Sequence, residues 1–226
     1  IYKIPSGREI GTFKESTQRW IVNAIVDRTQ TGTHPCIFGT GTNKWTAEYA
    51  LTEPSETTLY VSTKAAAEPG YFCDTATDPC TSKWALNTVA DFSLVAGGSS
   101  KLESTAGSNL NTCTSSTLKF KLTSNSGEEA SATGENTETT WGGGSTPCNP
   151  YSTTTSTLGK LRVKAEDDSG NAIVYADSEI EWTVSVPGFL GGPCIYKIPS
   201  GREIGTFKES TQRLIVNAVV DRTSTG

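Results

Sequence analysis

Apolar and polar residues alternate along most of the chain, which is the pattern of half-buried β-strands. In the segment Lys44–Leu51, the residues Trp45, Ala47, Tyr49 and Leu51 fall on one face. Five further segments have apolar faces of this kind: Trp20, Val22, Ala24 and Val26; Leu118, Phe120 and Leu122; Leu161, Val163 and Ala165; Ile180, Trp182, Val184 and Val186; Leu214, Val216, Ala218 and Val220. No segment keeps a helical period, so the pattern predicts an all-β protein.

A longer apolar series predicts one more strand, with these residues on its inner face: Trp84, Leu86, Ala90, Phe92 and Leu94. Clusters of glycine, serine and asparagine, such as Gly97-Gly98 and Asp168–Asn171, separate the strands and predict turns. Many short strands with one polar face favour β-sandwiches over a parallel sheet.

The two ends of the sequence are near-copies of each other. Residues 1–32 and 195–226 differ at three positions only, namely Trp20/Leu214, Ile25/Val219 and Gln30/Ser224. Two of these differences exchange one apolar residue for another, which favours copies that have drifted apart over an artificial duplication of the tail. The offset of 194 residues predicts one period of a tandem array followed by the start of the next.

A weaker internal pattern divides this period. The dipeptide Pro-Cys occurs four times, at Pro35-Cys36, Pro79-Cys80, Pro147-Cys148 and Pro193-Cys194. It predicts a β-sandwich domain in residues 1–80, a second one with a longer insertion in 81–194, and the start of the next repeat in 195–226. The alternative is that 195–226 completes the preceding domain.

Six cysteines permit three disulfides with about 15 possible pairings. They are Cys36, Cys73, Cys80, Cys113, Cys148 and Cys194. Cys73 and Cys80 are close enough to clip a local loop, and Cys113 with Cys148 would staple the insertion. Cys36 and Cys194 would then remain, and a neighbouring unit of the array offers each a partner. A zinc site is disfavoured because no C-x-x-C pair occurs and His34 is the single histidine.

Disulfides persist in oxidising compartments, so the sequence predicts an extracellular or cell-surface protein. The formal net charge of −5 disfavours nucleic acid as a partner. Apolar runs are only a few residues long, so no membrane span is expected.

The segment Leu161–Val186 resembles the closing hairpin of bacterial-type immunoglobulin-like repeats, in which a strand ends in an acidic turn with Gly-Asn and is followed by returning strands. The resemblance covers about 26 residues. It implies tandem immunoglobulin-like β-sandwich domains of large extracellular adhesins or filaments, without catalytic residues. The Cys…Trp…Cys spacing of antibody domains does not fit this sequence.

The sequence predicts no catalytic residue and no metal site. His34 lies in a turn rich in glycine and threonine, and the paired carboxylates fall in turns or on solvent faces. Oxygen atoms of Asp167, Asp168 and Asn171 offer a calcium site between domains, for which a simple turn is the competing explanation. Trp141 and Tyr151 occur in irregular polar stretches and are the candidate ligand contacts.

An array of such domains is expected to act as a structural repeat unit of an extracellular fibre, filament or adhesin shaft. Its role would be mechanical, because pulling would have to shear strands whose loops are closed by disulfides. The expected partners are neighbouring repeats or identical subunits, joined in the second case by strand addition through a segment such as Arg19–Asp27. The alternative function is a carbohydrate-binding or adhesive module on a cell or virus surface.

Overall fold

A computed structural model describes residues 11–14, 19–22, 42–53, 60–61, 72–73, 82–104, 106–125, 131–142, 148–165, 171–185 and 193–224. These residues contain β-strands, one short 3-10 turn at Glu209–Thr211 and connecting loops, with no α-helix among them. The strands are β1 (Gly11–Lys14), β2 (Arg19–Val22), β3 (Asn43–Glu53), β4 (Tyr60–Val61), β5 (Phe72–Cys73), β6 (Val89–Leu94), β7 (Ser100–Ser104), β8 (Asn109–Cys113), β9 (Ser116–Ser124), β10 (Ser131–Trp141), β11 (Ser152–Thr157), β12 (Lys160–Ala165), β13 (Asn171–Ala176), β14 (Ile180–Ser185), β15 (Cys194–Ile198), β16 (Glu203–Lys208) and β17 (Arg213–Ser224).

Eight of these strands form a closed antiparallel barrel. Their order around the barrel is β3, β6, β9, β10, β12, β13, β16 and β17, and β17 pairs with β3 to close the ring. The all-β prediction is confirmed, but the described strands form one closed barrel where the sequence predicts tandem immunoglobulin-like sandwiches. The alternation of residues reports that one face of each strand is buried. It does not report whether a sheet closes on itself or packs on another sheet.

The strands β3 and β17 extend beyond this ring and carry further strands on their outer ends. The first residues of β3 pair with β7, which pairs with β8. The last residues of β17 pair with β15, which pairs with β14 and then β11. Two backbone hydrogen bonds of 2.9 and 2.7 Å between Thr112 and Asn149 connect β8 to the residues just before β11. We call these outer strands, β7, β8, β11, β14 and β15, the extension. Its two ends are therefore joined to each other at the edge far from the barrel.

Strand pairing crosses both of the predicted domain boundaries. The barrel takes β3 from residues 1–80, five strands from 81–194, and β16 with β17 from 195–226. The described part of 195–226 therefore lies in the same barrel as the strands that precede it.

The inner faces of the strands follow the predicted alternation. Trp45, Ala47 and Tyr49 of β3 are buried, and so are the four apolar residues predicted for the inner face of β17. One expectation was wrong, because Leu86 is 56% exposed. The chain turns at Asn87, which has a positive φ of 71° and donates its backbone N–H to Leu122 O, so the strand begins only at Val89.

A glycine in the hairpin formed by β16 and β17 provides a test of this packing. A Cβ atom on Gly205 would overlap the backbone carbonyl of Ile215 on the paired strand β17. We therefore expect Gly205→Ala to lower the free energy of unfolding by about 2 kcal/mol, measured by urea denaturation. The matched control is Gly11→Ala, at the equivalent position of the first copy, where the barrel should keep its stability. Equal effects of the two substitutions would contradict this packing.

Candidate functional site: the seam between β3 and β17

The barrel closes along one seam, which we define as the antiparallel pairing of β3 with β17. It joins eight residue pairs, from Arg213 opposite Ala50 to Val220 opposite Asn43. The seam brings together two strands that are far apart in the sequence. Backbone hydrogen bonds stabilise this pairing, and the alternating side chains fix its register. The same division of roles is found in complexes formed by strand addition.

One ion pair joins the two strands of the seam, and a second binds β17 to the turn before β16. Arg213 Nη1 donates to Glu48 Oε1 at 2.7 Å across the seam. Arg202, in the turn between β15 and β16, donates to Asp221 Oδ1 at 2.8 Å and to Val219 O at 3.2 Å. Because the Arg213–Glu48 pair is largely exposed, it contributes at most about 1 kcal/mol to stability. Its main effect is to favour one register.

An aromatic cluster fills the interior beside the seam. The ring of Trp45 lies 5.2 Å from that of Trp141 and 5.6 Å from that of Trp182, measured between centroids. Trp182 also stacks on Tyr196 at 6.1 Å. Three cavities of about 10, 10 and 20 Å³ lie among the inward-facing side chains. Each has room for about one water molecule, so this part of the interior is packed with side chains.

Hydroxyl groups satisfy the polar atoms of these buried rings. Trp45 Nε1 donates to Ser100 Oγ at 2.8 Å. The hydroxyl of Tyr49 is 2.9 Å from Ser116 Oγ, which in turn donates to Thr140 O at 2.7 Å. Burial raises the pKa of Tyr49 to about 12, and hydrogen bonds with Ser116 and Ser100 only partly oppose this shift. Burial also raises the pKa of Tyr196, against the nearby charge of Arg222.

The structure describes both predicted ligand contacts, one at the end of a strand and the other in the loop before β11. Trp141 ends β10, and its ring lies in the aromatic cluster with Nε1 donating to Thr155 Oγ1 at 2.7 Å. Tyr151 is half-buried, and its backbone N–H and carbonyl both bond the side chain of Asn111. The interior packing of Trp141 arises because β10 continues as a strand where the sequence suggested an irregular stretch.

Covalent bonds reinforce the far edge of the extension. The disulfide Cys113–Cys148, one of the pairings considered from the sequence, links the end of β8 to the residues before β11. Cys73 and Cys194 are also disulfide-bonded within the chain, so the proposed partner of Cys194 in a neighbouring unit is not needed. The remaining cysteines, Cys36 and Cys80, lie outside the described residues.

Most other candidates for chemistry also lie outside the part of the chain that the structure describes. These are His34, Asp167 and Asp168, as well as the carboxylate pair Glu128-Glu129. Asn171, the third candidate calcium ligand, begins β13 and is paired with Lys208 in the ladder. Among the described residues, no cluster of three or more His, Cys, Asp or Glu side chains could hold a metal ion. The same residues contain no helix long and apolar enough to cross a membrane.

Sequence reasoning missed two buried asparagines that connect separate segments. Asn125 accepts from Phe72 N at 2.9 Å, and its Nδ2 donates to the carbonyls of Phe72 and Trp84 at 3.0 Å. Asn136 donates to Leu158 O at 2.9 Å. The sequence offers no signal for either role, since asparagine is common in turns. The sequence contains the charged residues Glu48 and Arg213, but nothing in it indicates that they pair across the seam.

No protein family, curated protein or solved structure matches this chain. Any functional assignment therefore depends on the geometry of the chain itself.

The buried tyrosine makes the barrel sensitive to alkaline pH. The pKa of Tyr49 is raised to about 12, whereas an unfolded tyrosine titrates near pH 10. Between these values the unfolded chain has released a proton that the folded chain retains, so the free energy of unfolding falls as the pH rises. Below about pH 10 the contribution is fully present. Urea midpoints measured from about pH 9 to about pH 12 should show this decline. The variant Tyr49→Phe should have a shallower slope, and an unchanged slope would contradict the assignment.

Removal of the described disulfide should weaken the fold. Cys113 and Cys148 are 35 residues apart, and a loop of this length contributes about 3–4 kcal/mol through the unfolded state. We expect the double variant Cys113→Ala/Cys148→Ala to lose stability of this order in urea denaturation. Retention of the full stability would show that the disulfide is not needed to hold the edge.

Proposed function

We propose that this chain contains the structural repeat unit of an extracellular fibre, filament or adhesin shaft, with a spacer role and no catalysis. The observation that supports the proposal is the match between one sequence period and one barrel. The near-copies are offset by 194 residues, and residues 33–226 make up one such period. All eight barrel strands lie between Asn43 and Ser224, within that period.

The packing of this unit suits a spacer. Its ring of strands is closed and aromatic side chains pack in its interior, so the eight described barrel strands offer no open edge for unwanted pairing. Disulfide bonds add stability that does not depend on a large apolar core. They also favour an extracellular location, because such bonds persist in oxidising compartments.

The geometry of the seam bears on the mechanical role. Asn43 at the start of β3 stands opposite Val220 near the end of β17, so the chain enters and leaves the barrel at the same end. A force applied at these two points would separate the seam one residue pair at a time, in contrast to the shearing of whole strands that the sequence predicts. Cys194, paired with Ser224 at this end, is disulfide-bonded and supplies covalent reinforcement of β15. This arrangement favours a spacer over a unit that resists high force.

Electron microscopy of the native protein tests the proposal. The longest native form, purified from its source and negatively stained, should appear as chains of beads. Each bead should be about 40 Å long, from strands of up to 12 residues at about 3.3 Å each. Residues 1–226 alone should give single beads as the control. Native material that consists of isolated particles with measurable glycan binding would contradict the fibre and support the alternative, an adhesive or carbohydrate-binding module.

A further inference from the structure

Both near-copies form the same hairpin in the same register. In the second copy, Gly205 pairs with Val216 and Lys208 with Arg213. In the first copy, Gly11 pairs with Val22 and Lys14 with Arg19. The two intervening pairs also match, and every position is shifted by 194 residues. The shared sequence therefore specifies one local structure in two different surroundings.

The two hairpins differ in their neighbours. The second hairpin is held on both sides, since β16 pairs with β13 and β17 pairs with β3. The first hairpin forms a separate two-stranded sheet and pairs with no other strand among the described residues. A two-stranded hairpin is marginally stable by itself in water. Among the residues that the structure describes, the first copy therefore has no strand neighbours like those that stabilise its counterpart.

The first copy retains the charged residues with which the second copy fits into the barrel. Arg19 corresponds to Arg213, the partner of Glu48 across the seam. Arg8 and Asp27 correspond to Arg202 and Asp221, which bond each other at 2.8 Å.

The three differences between the copies place one enlarged side chain at a buried position of the barrel. Leu214, replaced by Trp20 in the first copy, is buried but lines two of the interior cavities. Val219, replaced by Ile25, is only half-buried. The third difference, Gln30 for Ser224, lies at the last residue of β17.

The chain contains two copies of these strands, but the described residues form one barrel, and the second copy already closes it. Only residues 33–42 separate the first copy from β3, so proximity in the sequence would favour pairing between them. Yet β3 is paired along Asn43–Ala50 with the second copy. To be held on both sides as the second copy is, the first copy would have to pair with the equivalents of β3 and β13 in another barrel.

We infer that residues 1–32 are the closing strands of a second copy of the repeat unit, the one that precedes this barrel in the array. One unit is then 33–226, and the junction between units falls between residues 32 and 33. The surface that receives residues 1–32 consists of the edges equivalent to Asn43–Glu53 and Asn171–Ala176 of that second copy. This inference rests on the proposed repeat-unit function and states how its units are divided and joined.

A sequence exchange in the full chain tests whether the first copy can close a barrel. The variant Leu214→Trp/Val219→Ile/Ser224→Gln converts the described part of 195–226 into the sequence of the first copy. We expect it to unfold cooperatively within about 10 °C of the unaltered chain, because only one inward-facing residue is enlarged and the cost of overpacking one buried side chain is small beside the stability of the whole barrel. The control Leu214→Asp should lose cooperative unfolding. Loss of cooperative unfolding in the exchanged chain as well would overturn the inference.

Binding between separate molecules provides a second test. In the full-length variant Val22→Asp/Val216→Asp, both copies carry a charge at the position that Val216 occupies on the inner face. Fluorescent peptides of residues 1–32 and 195–226 are titrated onto this receptor and followed by anisotropy. Saturable binding of both peptides is expected, with dissociation constants within about tenfold of each other. Binding of 195–226 without binding of 1–32 would overturn the inference.

These outcomes separate the inference from the proposed function. If both tests succeed but the native protein forms no filaments, the fibre proposal fails while the assignment of residues 1–32 stands. If filaments form but the exchanged chain does not fold, the fibre proposal stands and the units must be joined in another way.

Discussion

The closure of the barrel by β17 against β3 is the constraint on which the rest of the structure depends. The ion pair across this seam joins Arg213 to Glu48, which are 165 residues apart. Such a distant pairing costs loop-closure entropy before it is rewarded by contacts. Without it, β3 and β17 would present open edges to solvent. The burial of Tyr49, and the high pKa that follows from it, exists only in the closed ring.

The alternation of residues predicted individual strands well and their arrangement poorly. The inner faces of β3, β9 and β17 agree with the predicted ones, because alternation directly reflects burial on one side. Closure could not be predicted, because no residue of β3 identifies β17 as its neighbour. Leu86 was misplaced because a turn at Asn87 interrupts an apolar series that looks continuous in the sequence.

The pairing of β3 with β17 was not predicted from the sequence. The sequence shows Glu48, Arg213 and the duplicated segments, yet only pairing places the two charges 2.7 Å apart. For Trp141, the sequence led to a wrong expectation of the surroundings of the ring. Its polar neighbours in the sequence favoured exposure, whereas its ring lies against Trp45 and Trp182 because β10 extends to that residue. The disulfide Cys113–Cys148 was one of many possible pairings, and the bridge between Thr112 and Asn149 explains why these two cysteines meet.

The energetics of the two near-copies favour a covalent array over exchange between free chains. A first copy that enters the barrel of another intact chain must displace residues 195–226 of that chain, which have almost the same sequence. The free energy gained by the new pairing is therefore nearly cancelled by the loss of the pairing that it replaces. Association of separate molecules carries a further entropic cost. When the segment and its barrel belong to consecutive parts of one chain, this cost is absent and no segment has to be displaced. Exchange between chains is therefore favourable only for a barrel whose own closing strands are missing or damaged.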